Sequence, residues 1–459
     1  MKNLYEDARE IFCAGVDRVN PLKLIDVTLT LVGNELRVKH AQGEESYSLD
    51  AYRHVVAAGF GKASAVLAEG LERKCSGMVE EGIVVTKSAE TARCAVIEIV
   101  EAGHPVPDER SVSAAHKILS LATKVRKWEQ NGEHCLVIML VSGGGSSLLC
   151  APLSGISLQE KALTTKLLLG SGATIQEMNA VRKHLSAVKG GRLAEAFAPA
   201  DILSLVLSDV IGDDLDAIAS GPTVPDSSTW QTVHSVLVAR SIMEQVPASV
   251  RDAVQKGIAG EIPETPKLLD KNSKNTVFNN TKTVLIGNNM LALQAARCKA
   301  EALGYKTFLL TSRLTGEARE TARLFSALAS DIAEYGIPLS RPACLIAGGE
   351  TTVTLRGTGL GGRNQEMALA VLTLLEEKKP GHYAAVFLSA GTDGNDGPTD
   401  AAGAFASMEL KLAAEKRGLS ALEYLRDNDS YHFFEQISGL LKTGPSGTNV
   451  CDMQILIVP

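Results

Sequence analysis

The chain has 459 residues, a net charge of −7, 45% apolar residues and 22% charged residues. This length is more than one common core usually takes and predicts two domains, while the composition is typical of a globular protein. The acidic balance argues against a nucleic-acid-binding protein, which usually presents a basic face. The eight cysteines show no zinc-ligand spacing, and the N-terminus has no apolar signal core, so we predict reduced thiols and a cytoplasmic location.

The first predicted elements are a helix over residues 4–19, which ends before Pro21, and a β-hairpin over residues 25–50 with its turn at Gly33-Asn34. Farther along, a short apolar strand is followed repeatedly by a glycine-rich turn and a helix. Alternating strands and helices build mostly parallel, helix-covered sheets, so the pattern predicts an α/β fold. Ligands in such folds bind beyond the carboxyl ends of the strands.

The polar segment 263–282 is rich in turn-forming residues and has no hydrophobic period, which is typical of a linker. We therefore predict an N-terminal domain over residues 1–245, a linker or mobile loop over 246–282, and a second α/β domain over 283–459. One uncharged stretch, 135–159, is long enough to cross a bilayer. Its central SGGGSS sequence predicts a buried strand and a loop instead, and no membrane segment is expected.

The first glycine-rich turn is GFGKAS, which contains Gly61 and Lys62. Glycines admit a ligand close to the backbone, and a helix N-terminus favours an anion, so a lysine here suits a phosphate or carboxylate. An exposed surface lysine is the alternative. Two known phosphate motifs fail, because Ala63 stands where Walker A needs Ser or Thr, and Ser64 where the dinucleotide fingerprint needs its last glycine.

The second glycine-rich turn follows an apolar strand and consists of Ser142, Gly143, Gly144, Gly145, Ser146 and Ser147. Successive small residues can turn their N–H groups inward as an anion-binding nest, and serine hydroxyls add donors. A tight turn without a ligand is the alternative. The segment does not match the G-x-S-x-G pattern of hydrolases.

A basic run and an acidic run come next. The basic run is NAVRKHLSAVKGGR, in which Arg182 and Lys189 are seven positions apart and are therefore expected on one helix face. Such a run either receives an anion or, more commonly, forms a solvated surface. The acidic run holds Asp209, Asp213, Asp214 and Asp216, which could bind a divalent cation through oxygen ligands or cap a helix.

Two further motifs lie near the C-terminus. In GGRNQE, the planar fork of Arg363 suits a phosphate or carboxylate, although a salt bridge to Glu350 at the end of the preceding strand is an alternative. The stretch AGTDGNDGPTDAAG, residues 390–403, begins like a calcium-binding EF-hand loop but lacks that pattern's later ligands. It is either an ordinary turn or an active-site loop.

Together and in this order, GFGKAS, VSGGGSSLL, NAVRKHLSAVKGGRLA, SDVIGDDLDAIASGPTVPD, GGETTV, GGRNQE and GTDGNDGPTDAAGA resemble the class II glycerate kinases, also called the MOFRL family. The resemblance implies two α/β/α domains, the first of them Rossmann-like, with the active site in the cleft between them. It also implies ATP-dependent phosphorylation of D-glycerate to 2-phosphoglycerate, with ATP and Mg²⁺ as cofactors and no nucleic-acid or membrane partner.

By motif, the essential lysine and arginine of the family correspond to Lys62 and Arg363, and the aspartate of its GTDG loop to Asp393. Substrate or nucleotide contacts are expected from Gly61, Ser142, Gly143, Gly144, Gly145, Ser146, Ser147, Arg182, Lys189, Asp209, Glu350 and Asn364. The metal ligands and the oligomeric state stay open. A hydroxypyruvate reductase using NAD(P)H is the main alternative, although neither a dinucleotide fingerprint nor a His–acid pair is evident, and a non-catalytic anion-binding module is the third.

Overall fold

The computed structural model describes residues 3–41, 43–89, 92–268, 277–376, 378–379 and 384–459. The chain divides into two compact units, and each is described by itself. Residues Leu24–Ile286 form the first, which we call the central unit. Residues Met1–Lys23 and Gly287–Pro459 form the second, which we call the terminal unit.

Strands and helices alternate along much of both units, as the sequence predicts. The strands are β1 (Leu29–Val32), β2 (Glu35–His40), β3 (Gly43–Ser48), β4 (His54–Phe60), β5 (Glu81–Thr86), β6 (Ile97–Glu101), β7 (Cys135–Ser142), β8 (Asp201–Leu207), β9 (Thr281–Gly287), β10 (Lys306–Leu314), β11 (Ala343–Gly349), β12 (Val386–Gly391), β13 (Gly403–Ser407), β14 (Leu440–Leu441) and β15 (Asp452–Val458).

The helices are α1 (Leu4–Arg18), α2 (Pro21–Thr28), α3 (Ser64–Lys74), α4 (Glu109–Gln130), α5 (Gly145–Leu148), α6 (Leu158–Gly170), α7 (Ile175–His184), α8 (Arg192–Phe197), α9 (Trp230–Ala239), α10 (Ala248–Ile258), α11 (Asn289–Ala302), α12 (Ala318–Tyr335), α13 (Arg363–Leu374), α14 (Met408–Lys416), α15 (Ala421–Arg426) and α16 (Ser430–Gln436). Pro21 opens α2 as well as following α1, because proline fits the first position of a helix.

The central unit is built on a sheet with the strand order β6-β5-β4-β7-β8-β9. The pairs β4–β5, β4–β7, β5–β6 and β7–β8 are parallel. Every residue of β7 is buried, which explains the long uncharged stretch in the sequence, because a strand covered on both faces reads as a continuous apolar run. No helix within the described residues is both long and apolar enough to cross a membrane.

A separate antiparallel sheet, β1-β2-β3, contains the predicted hairpin turn near the start of the central unit. The predicted range 25–50 starts too early, because residues 25–28 belong to α2. Its first turn lies at Gly33 and Asn34, where Gly33 adopts a φ of 59°. Glycine suits this turn because a left-handed backbone costs it little.

The terminal unit has a mixed sheet with the order β10-β11-β15-β12-β13-β14. Strands β10 and β11 are parallel, whereas β15 is antiparallel to both β11 and β12, and β13 to both β12 and β14. The expectation of mostly parallel pairing is therefore wrong for this unit. The loop between β12 and β13 is too short for a parallel crossover, so the chain can only return antiparallel.

The division of the chain differs from the predicted one at its first residues. Helix α1 belongs to the terminal unit rather than to an N-terminal domain 1–245, because its face with Ile11, Phe12 and Gly15 is buried there. A Cβ atom on Gly15 would lie 2.4 Å from Cε of Met453 and 2.9 Å from the carbonyl oxygen of Ala292. Such close approach leaves room only for glycine.

The predicted linker 246–282 also differs from the structure. It contains α10, whose Val250 and Val254 pack in a buried cluster with Trp230. It also contains the start of β9, which is a strand of the central sheet. Residues 269–276 of that predicted linker lie outside the described residues. The amphipathic pattern of α10 is short, and its apolar partners are distant in sequence, so the segment resembled a linker.

Candidate active site

The two predicted anion loops, GFGKAS and SGGGSS, meet at the carboxyl ends of the adjacent strands β4 and β7. Gly61 has a φ of 135°, and a Cβ atom there would lie 2.2 Å from Oγ of Ser142. The N–H of Lys62 donates to the carbonyl of Gly143 over 2.9 Å, and that of Ala63 to Oγ of Ser142 over 3.0 Å. The buried hydroxyl of Ser142 therefore joins the two loops, and its contact with a ligand stays a prediction.

Three polar side chains converge on the backbone of Gly143 and Gly144. A Cβ atom on Gly144 would lie 3.2 Å from Cγ of Lys62 and 2.9 Å from Nε2 of His104. A Cβ atom on Gly143 would lie 1.9 Å from Oδ2 of Asp209. Both glycines are therefore needed for Lys62, His104 and Asp209 to lie close together.

The surroundings shift the pKa values of two of these groups, His104 and Asp209, in opposite directions. Burial, together with the charges of Lys62 and Lys87, lowers the pKa of His104 to about 4. Burial raises the pKa of Asp209, while the charge of Lys62 opposes that rise. At neutral pH His104 is therefore uncharged and can offer a ligand a hydrogen bond but no charge. Sequence reasoning missed His104, which follows β6, a partly polar strand that the hydrophobic pattern did not reveal.

Ser146 accepts hydrogen bonds from two cationic side chains of the predicted basic run, Arg182 and Lys189. The guanidinium of Arg182 donates through Nη2 to Oγ of Ser146 over 2.5 Å. The ammonium of Lys189 donates to the carbonyl of Ser146 over 2.7 Å, to its Oγ over 3.1 Å and to the carbonyl of Leu149 over 3.3 Å. Arg182 and Lys189 thus lie close together as predicted. They do not share a helix face, however, because α7 ends at His184 and Lys189 lies beyond it.

Two further residues of the basic run, Lys183 and His184, are buried, whereas a solvated surface was the commoner interpretation of the run. Lys183 is only 2% exposed and forms ion pairs with Asp216 at 2.5 Å and with Asp226 at 3.4 Å. His184 is also buried, and its Nε2 lies 2.9 Å from Oε2 of Glu264. The charge of Lys183 is compatible with burial because it has charged partners, whereas burial lowers the pKa of His184 and favours its uncharged ring.

The carboxylates of the acidic run lie in different surroundings. Asp209 lies against Gly143, Asp216 pairs with Lys183, and Asp214 accepts the N–H of Asp216. Within the described parts of the chain, no group of three or more His, Cys, Asp or Glu side chains could hold a metal ion. Asp214 and Asp216 thus take part in a local hydrogen bond and an ion pair, and cation binding by Asp209 stays a prediction.

In the terminal unit, Arg363 begins α13 between two carboxylates. Its Nε donates to Oδ2 of Asp452 over 2.6 Å and its Nη2 to Oδ1 over 2.9 Å, while Nη1 lies 2.7 Å from Oε1 of Glu350. Burial would lower the pKa of Arg363, but these ion pairs raise it. A salt bridge to Glu350 is thus present, but it is partly exposed, whereas the alternative drawn from the sequence was a buried one. The buried Asp452 was missed, because it lies 89 positions away in sequence.

The glycine- and aspartate-rich stretch 390–403 is held against the start of α13 by Asp396. The backbone N–H of Asn364 donates to Oδ1 of Asp396 over 3.1 Å, and that of Gln365 to Oδ2 over 2.8 Å. Burial raises the pKa of Asp396 to about 6 although these amides oppose the shift. The side chain of Asn364 donates to Asp396 and accepts from Ser389, and its contact with a ligand stays a prediction.

Asp393 is the aspartate of this stretch nearest the turn after β12. Its Oδ1 accepts the backbone N–H of Asn395 over 3.1 Å, and the side chain is half-buried. A Cβ atom on the next residue, Gly394, would lie 2.1 Å from the carbonyl oxygen of Gly444. The glycine therefore lets the turn pack closely while one carboxylate oxygen of Asp393 is held by a single amide.

Comparisons with known proteins agree with this architecture. Residues 7–255 match the family model described as a domain of unknown function (DUF4147), and residues 343–452 match the MOFRL family. A glycerate 2-kinase from Pyrococcus horikoshii is 38% identical over 96% of this chain and 92% of its own. A D-glycerate 2-kinase from Thermotoga maritima is 40% identical over 88% of this chain and 90% of its own.

The crystal structure of a glycerate kinase from Thermotoga maritima matches with a TM-score of 0.83 and 36% identity, covering 100% of both chains. The fold, the glycine-rich loops and the matched regions define an α/β protein with a DUF4147 region and a MOFRL region. The chain belongs to the glycerate 2-kinase family, the class II or MOFRL-type glycerate kinases. The predicted resemblance is confirmed.

One relative has a different name. A protein from Agrobacterium vitis called a putative hydroxypyruvate reductase is 38% identical over 88% of this chain and 87% of its own. In this chain, Ser64 stands where the dinucleotide fingerprint requires a glycine, and its buried hydroxyl donates to the carbonyl of Leu140. That position is part of the packing between the start of α3 and β7, so the geometry does not favour the reductase.

Proposed function

We propose that this protein transfers the γ-phosphoryl group of ATP to D-glycerate and forms ADP and 2-phosphoglycerate. The observation that carries the proposal is the convergence of Lys62, His104 and Asp209 on the glycine pair 143–144 at the carboxyl ends of two parallel strands. Such strand ends are where α/β proteins bind ligands. Membership of the glycerate 2-kinase family supports the choice of substrate.

In this reaction the bond between the γ-phosphorus and the bridging oxygen of ADP breaks, and a new bond forms to the 2-hydroxyl oxygen of glycerate. The hydroxyl proton moves to a carboxylate, for which we propose Asp393. Catalysis of such a transfer rests mainly on positioning and on neutralising charge. Lys62 supplies positive charge to the transferring phosphoryl group, and His104 supplies a hydrogen bond from an uncharged ring.

Arg363 would act as an anion ligand in the terminal unit. Its pair with Asp452 is buried and two-pronged, and it fixes the guanidinium plane. Its contact with Glu350 is more exposed, with side-chain exposures of 33% and 43%. Exposed ion pairs contribute little stability, so an incoming carboxylate or phosphate can replace Glu350 while Asp452 keeps the arginine oriented.

Magnesium fits this arrangement as an ion that arrives with ATP. Mg²⁺ is commonly held by one or two carboxylates together with substrate phosphates, so the lack of a three-ligand group among the described residues is compatible with it. Asp209 would hold the ion, since its carboxylate lies against Gly143. When bound, the ion would neutralise phosphate charge. We also propose a cytoplasmic location, because all eight cysteines are free thiols and reducing compartments keep them so.

The test is a product assay with the purified full chain, ATP, magnesium and D-glycerate. We expect 2-phosphoglycerate, which enolase consumes directly without added phosphoglycerate mutase. Product that enolase accepts only after mutase is added would place the phosphate on the 3-hydroxyl and contradict the proposal. A parallel assay with NADH or NADPH and hydroxypyruvate should show no turnover above background, and clear turnover would favour the reductase.

A further inference from the structure

A cavity of about 560 Å³ lies in the central unit beside the Ser146 turn. Its walls come from α6, from Met178 and Arg182 on α7, and from the segment that follows β6. Its floor includes Ser146, Ser147 and Lys189. Cavities of this size hold small organic ligands.

The most unusual residue in the cavity is Lys161, on the inner face of α6. It is only 6% exposed, and its Nζ is buried with no hydrogen-bond partner among the described residues. A buried ammonium without a partner is costly. Burial accordingly lowers the pKa of Lys161 to about 8. A negatively charged ligand in the cavity would supply the missing counter-charge.

Lys161 is one of several cations around this space. Lys166, Arg182 and Lys189 also line the cavity, and none of its described lining residues is Asp or Glu. Lys189 is fully buried, and its pKa is lowered by that burial and by the charges of Lys161 and Arg182. Uncompensated charges of one sign repel each other strongly in a low-dielectric interior. The cavity therefore favours a ligand with more than one negative charge.

The outer part of the cavity is apolar. Val106, Leu163 and Leu169 line it and are 69%, 46% and 62% exposed. Leu158, Lys161, Thr165 and Leu169 follow one another at helical spacing on α6, so one helix face carries both the buried lysine and the apolar rim. Glycerate and phosphoglycerate have no apolar body that such a rim would cover, whereas the base of a nucleotide does.

We propose that this cavity binds the ATP donor, with its phosphates at Lys161, Arg182 and Lys189 and its base against the apolar rim. The inference rests on the proposed function, and it assigns a nucleotide-binding role to Lys161, which the sequence analysis did not identify. The position agrees with phosphoryl transfer, because Ser146 is next but one to Gly144, whose backbone lies against the stem of Lys62. A phosphate chain that passes the Ser146 turn is thereby directed toward Lys62.

The test is calorimetric binding to the full chain, with adenylyl-imidodiphosphate and magnesium as one probe and inorganic tripolyphosphate as another. Lys161→Met should weaken both by about tenfold or more, because a charge-assisted contact is lost. The ligand-free variant should melt at or above the wild-type temperature, because an unpartnered buried charge is removed. Leu163→Ser should weaken the nucleotide analogue and leave tripolyphosphate unchanged. Lys127→Met, an exposed lysine of α4, is the control and should bind both probes normally.

Two outcomes would overturn the inference. If Lys161→Met binds both probes as the wild type does, the cavity is not the nucleotide site. If it weakens D-glycerate or 2-phosphoglycerate binding but not the nucleotide analogue, the cavity belongs to the acceptor. The proposed function is tested separately by wild-type turnover. Nucleotide binding that depends on Lys161 in a chain that phosphorylates no D-glycerate would refute the function and leave this inference standing.

Discussion

The carboxylate of Asp452, fully buried at the start of β15, holds the guanidinium of Arg363 with two hydrogen bonds of 2.6 and 2.9 Å. Bidentate pairs of this kind fix the plane of the arginine as well as its charge. Arg363 is therefore oriented before any ligand arrives. An ammonium group cannot reproduce this geometry, because it is a point charge on a flexible stem.

We predict that Arg363→Lys lowers kcat/KM for phosphoryl transfer by roughly two powers of ten. It should also lower the free energy of unfolding by about 2 kcal/mol, since the buried Asp452 loses part of its pairing. Steady-state kinetics and urea unfolding measure the two effects. Arg356→Lys, at an exposed arginine of the same unit, is the control. Normal activity of Arg363→Lys would remove Arg363 from the site.

Lys62→Ala should lower kcat by roughly two powers of ten, about 3 kcal/mol, because the lysine acts where negative charge shifts in the transition state. The melting temperature should change little, since Lys62 is only half-buried. A second readout is the pKa of His104, which burial and the charge of Lys62 lower to about 4. NMR titration should show a higher value in the variant. An unchanged His104 pKa would contradict the proximity of the two groups.

Local pattern was sufficient to predict the strand, glycine turn and helix that position Lys62 and the 142–147 turn. Parallel strands end at one edge of a sheet, so the expectation that these loops bind ligand near each other followed from fold class alone. The close contact between Gly61 and Ser142 goes beyond that expectation, because it also requires a glycine with a φ of 135° at position 61. A short stretch of sequence therefore encodes the strand, the glycine-rich turn and the helix.

Burial of charge could not be predicted in the same way. Lys183 resembles a surface lysine in sequence, because its partner Asp226 lies 43 positions away. His184 depends on Glu264, 80 positions away, and Arg363 on Asp452, 89 positions away. Lys161 has no protein partner in the described structure that a pattern could have indicated. The sequence locates loops and cations, whereas tertiary packing decides which cations are buried.

Lys183→Ala should destabilise the protein strongly, although the sequence alone indicated a harmless surface change. The substitution leaves the carboxylate of Asp226, which is only 1% exposed, without its lysine. Breaking a buried pair in this way costs about 3 kcal/mol or more. Urea unfolding should show this loss in Lys183→Ala and none in Lys127→Ala. Equal midpoints for Lys183→Ala and the wild type would mean that the buried ion pair does not stabilise the central unit.

The stability of the protein should depend on pH through Lys161. The pKa of Lys161 is about 8 in the folded protein against 10.5 when unfolded, so the unfolded state binds more protons between these values and stability rises with pH there. The buried charge lowers the free energy of unfolding by its full amount below pH 8, and this destabilisation is largely gone by pH 10.5. Lys161→Met removes that charge and should therefore have its greatest advantage below pH 8. The difference in unfolding free energy between Lys161→Met and the wild type should therefore shrink by about 3 kcal/mol between pH 7.5 and 10.5.

Lys189 titrates in both proteins, so its contribution to this difference largely cancels. Urea unfolding at several pH values measures the difference, with Lys127→Met as the control. A difference that stays constant with pH would show that Lys161 is not a buried charge.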